Sequence, residues 1–172
     1  MANEKYAVIR TDLMTGTDVG PYLASVRYMD ADGNPAEIEN GCVVKLEGLM
    51  EGERELYKGV APAADTPLKD VVVIATPEVM YDERKKNLDE FINEAGSNCR
   101  GYRLHQHDVF SVTAKGLNIA EGAVPAVGWA VELMAGNKMN VVETATGGST
   151  QVGTIMAIEM AGRYTYYVIR VA

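Results

Sequence analysis

The only two histidines of the chain, His105 and His107, stand beside Asp108. On an extended strand an i,i+2 spacing puts both rings on one face. Two imidazoles and a carboxylate suit zinc or iron. The neighbouring sequence offers no further ligand, so a solvated loop tip is the preferred reading. His105, His107 and Asp108 are kept only as metal candidates. Arg100 and Arg103 flank Gly101-Tyr102 and could clamp an anion, but they could equally neutralise the acidic stretch before them, which is preferred. Cys99 follows a segment that reads as a helix, and a helix C-terminus does not lower a thiol pKa. No phosphate-cradling glycine loop, dinucleotide fingerprint, nucleophile elbow or His-Glu-x-x-His pair occurs. Asp30-Ala31-Asp32-Gly33 has the look of a calcium loop but lacks its remaining ligands and its helices, so a turn is expected. No catalytic residue and no cofactor are assigned, and the chain is expected not to be an enzyme.

The segment that must position these groups runs from 76 to 105. Tyr81, Leu88, Phe91, Ile92 and Ala95 recur at steps near 3.6, with Asp82, Lys86, Asp89 and Asn93 on the other side. Asp82 is a natural N-cap and Gly96 a natural stop. The pattern predicts a central amphipathic helix over about 82–95, with Leu88 and Phe91 as core or interface anchors. On both sides the pattern alternates as in strands. The expected fold is α+β, mainly β, with small barrel-like or sandwich-like units. The division is an N-terminal arm (1–21), a first β unit (22–75), the helix segment (76–105) and a second β unit (106–172). Strands are expected over 22–29, 39–46, 53–60, 71–75, 99–104, 109–113, 128–134, 139–144, 152–160 and 164–171. The run Val71-Val72-Val73-Ile74-Ala75 is short and unbroken, as in a strand buried on both faces. Hairpins are expected at Glu51-Gly52, Gly136-Asn137 and Gly162. Residues 115–125 read as a loop. Trp129, the lone tryptophan, is a further core or interface anchor.

In 172 residues, 47% of them hydrophobic, a core needs no disulfide or metal. Cys42 and Cys99 therefore read as two buried thiols in a reducing compartment. A net charge of −8 disfavours nucleic acid as a partner. No apolar run approaches a membrane span, and residues 1–5 do not have the form of a signal peptide, so synthesis and folding in cytoplasm are expected. In the arm, Tyr6, Val8, Ile9, Leu13, Met14 and Val19 are candidates for contact with a capsid or a neighbouring subunit, the equal alternative being a terminus packed loosely on its own domain.

Gly41-x-x-Val44-x-Leu46, a returning strand and Lys58-Gly59-Val60-Ala61-Pro62 resemble the small β units of tailed-bacteriophage head decoration (capsid cement) proteins. Gly128-x-x-Val131-x-Leu133 repeats the pattern faintly, with Gly153 in the place of Gly59. The stretch Thr76-Pro77-Glu78-Val79-Met80-Tyr81-Asp82-Glu83, with Arg100-Gly101-Tyr102-Arg103-Leu104, is similar to phage structural proteins encoded near the major capsid gene. The resemblance implies a non-catalytic virion protein on the capsid exterior. Its partner would be the major capsid protein, and it would be a homo-oligomer, with a trimer favoured. The alternatives are another head–tail component, or a small metal-dependent or ligand-binding enzyme built on the His105/His107/Asp108 tip.

Overall fold

The computed structural model describes residues 4–16 and 19–172. Strands come in the order β1 (Ile9–Leu13), β2 (Leu23–Tyr28), β3 (Val43–Leu49), β4 (Leu56–Val60), β5 (Val71–Ile74) and β6 (Cys99–Arg103). Then follow β7 (Val109–Thr113), β8 (Leu117–Ile119), β9 (Ala130–Glu132), β10 (Met139–Val142), β11 (Gln151–Ala161) and β12 (Tyr164–Val171). Strands β2-β4-β3-β5-β6 close into a barrel, and β1-β7-β12-β11-β9-β10-β8 form a seven-stranded sheet. One barrel pair, β2 with β4, and one sheet pair, β8 with β10, are parallel, and the other pairs are antiparallel.

Period-two alternation explains how the two units share a core. In β3 and β5, Val44, Val72 and Ile74 point into the barrel with Ala24, Val26 and Cys99. Their neighbours Val43, Val71 and Val73 point outward and pack with Phe110, Val112, Ile155 and Ile169 of the sheet. Every side chain of β5 is thus buried, and a continuous apolar run is what such a strand requires. Gly41 stands at this seam with φ +82°, and a Cβ there would lie 2.5 Å from Cγ2 of Val112.

The expected α+β fold with a central helix is corrected by the structure. Among the described residues the chain is all-β, with no helix of seven residues or more. Within 82–95 there is only a single 3-10 turn, Leu88–Glu90, inside an extended connection from β5 to β6. Burial in this segment does not follow the expected helix face. Asp89 and Asn93, assigned to solvent, are each 3% exposed, whereas Tyr81, assigned to the core, is 94% exposed. The Leu88 anchor is exposed and Phe91 is half-buried.

The physical reason is a set of tertiary polar bonds. A helix this short is marginal without an apolar face to bury. Here the main chain finds other partners. Asn93 exchanges main-chain bonds with Ile38 (3.0 and 3.1 Å), and its Nδ2 donates to Ile38 O and to Asn40 Oδ1. Asn40 in turn brackets Thr76, accepting its N–H at 3.0 Å and donating to its carbonyl at 2.8 Å. The Glu90 carboxylate accepts the N–H groups of Lys86 and Asn87, which fastens the turn.

Candidate functional site

The clearest convergence of sequence-singled residues is at the β6–β7 turn, where the arm meets the histidine tip. His105, His107 and Asp108 fall between Cys99–Arg103 and Val109–Thr113, two strands that belong to different units. The turn therefore crosses the seam, and Asp108 is buried there at 2% exposure. Its Oδ1 accepts the N–H of Thr15 at 2.9 Å and also the Thr15 hydroxyl. Its Oδ2 accepts the N–H of His105 at 3.1 Å. On the main chain, Asp108 and His107 bond to both sides of Val171, at 2.8 and 3.1 Å. His107 takes φ +74° to make the corner. Asp108 is thus a clasp that ties the arm, the crossing turn and the last strand together.

His105 is held by packing. Its ring centroid lies 4.1 Å from that of Tyr22. Nδ1 is buried, 3.5 Å from Oδ2 of Asp108, and makes no hydrogen bond. Among the described residues no three His, Cys, Asp or Glu side chains are grouped so that they could hold a metal ion. Asp108→Ala should loosen the segment around Thr15 that follows β1, leaving the Thr15 and His105 donors unmatched at a cost of about 2 kcal/mol. Amide exchange at Thr15 reads this directly, and it should accelerate in the variant while exchange in β5 remains slow.

Asp89 makes a second clasp that sequence reasoning missed. Its carboxylate accepts the Tyr164 hydroxyl at 2.7 Å and the Lys5 N–H at 3.1 Å, with Arg163 Nη2 at 3.7 Å. Its carbonyl accepts the N–H of Tyr6. Burial works against the charge, but Tyr164, Lys5 and Arg163 outweigh it and hold the carboxyl below its usual range. The only signal in the sequence was a carboxylate in a stretch with no strand partner, and its three donors lie far away along the chain.

The middle of the arm is built into the sheet as β1. Val8, Ile9 and Met14 are buried in this molecule's own core. Val8 exchanges main-chain and side-chain bonds with Thr113. Tyr6 is half-buried, and Leu13 and Val19 are exposed. The parts of the predicted arm at 1–3 and 17–18 lie outside the described residues. Trp129 packs against the shared core as a partly buried side chain.

Both cysteines are free and buried. Burial pushes the Cys42 thiol up to about 12 and the Cys99 thiol up to about 11. Thiolates are the reactive form. A thiol reagent at neutral pH should therefore leave the folded chain unlabelled and modify both cysteines in denaturant, as a mass measurement would show.

The outer barrel surface carries two adjoining grooves. One, of about 660 Å³, is lined by Ser25, Arg54, Glu55, Tyr57, Asn98 and Arg100 among others. The other, of about 780 Å³, is formed by the connection between β5 and β6 itself and includes Val79, Met80, Tyr81, Phe91 and Ile92. The two meet at Thr76, Pro77 and Asn98. Arg100 and Arg103, adjacent in the sequence reading, are divided by the strand. Arg100 faces the first groove, while the Arg103 guanidinium lies 5.7 Å from the Tyr57 ring centroid. No helix of the described residues is long and apolar enough to cross a membrane. Comparison of the chain with protein-family models, with curated proteins and with solved structures found no match.

Proposed function

We propose that this chain is a virion structural protein that binds the outer surface of a tailed-phage capsid and stabilises the shell, with the major capsid protein as its partner. The carrying observation is the resemblance of Gly41-x-x-Val44-x-Leu46 and Lys58-Gly59-Val60-Ala61-Pro62 to the β units of head decoration proteins. In this chain Val43–Leu49 and Leu56–Val60 are neighbouring strands of the closed barrel, with Leu46 opposite Gly59. Gly59 is needed there, since a Cβ would lie 2.5 Å from Val26 inside the barrel. The buried carboxylates of Asp89 and Asp108 fit a structural role, because both are committed to main-chain and hydroxyl donors of distant segments. A rigid all-β body with the arm fastened down is suited to resisting deformation of a shell.

The test is co-sedimentation of the purified chain with empty, expanded phage capsids, repeated with Leu13→Ser and Val19→Ser, the exposed apolar side chains of the arm. Saturable binding supports the role. Loss of binding in the double variant puts the contact on the arm, and unchanged binding puts it on the barrel or the sheet. No binding to any capsid tested refutes the role.

A further inference from the structure

Past Ile155 the outer edge of β11 has no strand beside it among the described residues. β11 runs along β12 to Ala161, but pairs with β9 only over Gln151–Thr154. The last main-chain bonds on that side join Ile155 to Gly128 and Trp129, at 2.8 and 2.9 Å. Among the described residues nothing continues the ladder along 156–161. The same edge gathers apolar surface. Met156, Ile158 and Met160 are exposed on the strand, and Val124 and Val127 are exposed in the loop that leaves it at Gly128. They are five of the eleven large hydrophobic side chains exposed among the described residues. An open edge with apolar side chains is a template for adding another strand.

We propose that two copies of this chain join through this edge, β11 against β11, antiparallel about a two-fold axis. The sequence of the edge favours its own copy. In a continuous sheet, residues that face each other across the pair must share a face, so the axis passes beside a residue. With the axis at Ile158, Ile158 meets its own copy, Met156 meets Met160, and Glu159 meets Ala157. With the axis one residue on, the two Glu159 carboxylates stand opposite each other, which is unfavourable. Glu159 is the only charged residue of β11; Arg10 lies 3.9 Å from it but is shared with Asp12, so the facing carboxylates disfavour the Glu159 register and leave the Ile158 one, which also spans the open stretch. The opposite sheet edges are less suited. β8 has three residues, and β1 is interrupted within its five residues, whereas the register shift of β11 falls between Ile155 and Ala157, at the start of the open span. The β11 contact is isologous and closes as a dimer, whereas the resemblance to decoration proteins implied a trimer. It stands apart from the capsid reading and neither depends on the other.

Sedimentation velocity of the full chain over a concentration series tests it. A monomer–dimer equilibrium is expected. Ile158→Lys sets two ammonium groups face to face and should weaken the dimer at least about tenfold. Ala157→Glu should weaken it and Ala157→Lys should strengthen it, since position 157 faces Glu159 across the axis. Circular dichroism and melting of each variant establish that the monomer still folds. A chain that stays monomeric up to millimolar concentration overturns the proposal. So does an oligomer that ignores all three substitutions, or one in which the two Ala157 variants act alike.

Discussion

Asp89→Ala should lower the unfolding free energy by about 3 kcal/mol, because it strips a buried acceptor from several donors at once. The Tyr164 hydroxyl and the Lys5 N–H lose their partner, and the Arg163 guanidinium loses its counter-charge. The three come from the start of the chain and from the β11–β12 turn, so the loss is felt by elements far from the β5–β6 connection in sequence, while the main-chain bond from Tyr6 N–H to the Asp89 carbonyl remains. Asp89→Asn keeps the shape and one acceptor oxygen but removes the charge, and should cost less. The pH dependence has a definite sign. The folded carboxyl is held below its usual range, so its contribution is fully present above the unfolded value of about 4 and is lost as pH falls through the folded one. Denaturant unfolding of wild type and Asp89→Asn should show a constant gap from pH 7 to pH 5, closing below about pH 4. A gap that widens in acid would mean that the carboxylate is not stabilised by these donors.

Gly41→Ala should cost a comparable amount, about 3 kcal/mol, from two sources. A left-handed φ costs an L-residue roughly 1–2 kcal/mol, and forcing a methyl into a packed seam adds roughly 1–3 kcal/mol. At φ +82° the new Cβ would lie 2.5 Å from Cγ2 of Val112, on the strand that carries the sheet side of the shared core. Gly33 is the control. It has φ +79° with open space around its Cβ position, so Gly33→Ala should show the backbone cost of about 1 kcal/mol alone. Val112→Ala should partly relieve Gly41→Ala, so that the double variant is less unstable than the sum of the singles. Strict additivity would place the strain elsewhere than between barrel and sheet.

What could be read from the sequence was local. Val71-Val72-Val73-Ile74 announces a strand buried on both faces because nothing in it is polar, and it is one. Gly162 announces the β11–β12 hairpin, with φ +63° at a two-residue turn. The mixed apolar and aromatic faces of β12 announce a central strand, and it lies between β7 and β11. What could not be read depends on partners distant in the chain. The 3.6-residue period over 82–95 is present, but Tyr81 has nothing to pack against, and Asp89 and Asn93 are drawn inward by Tyr164, Lys5, Ile38 and Asn40. β8 was read as part of a loop because its only strand partner, β10, runs parallel to it and follows a long excursion. The strands on either side of the histidine tip look like one hairpin, yet β6 closes the barrel and β7 enters the sheet. The tip residues were read as a solvated loop tip; they form a turn, but Asp108 is buried in it, and its commitment to Thr15 had no sequence signature.

The most direct measurement is calorimetric melting of empty, expanded phage capsids with and without saturating amounts of the full chain. A protein that cements the shell binds its intact form in preference to its dissociated form, so the melting transition of the shell should move upward as the chain is added and should stop moving at saturation. A transition that stays where it was, with the chain demonstrably bound or with no binding at all, would contradict a stabilising role on the capsid exterior.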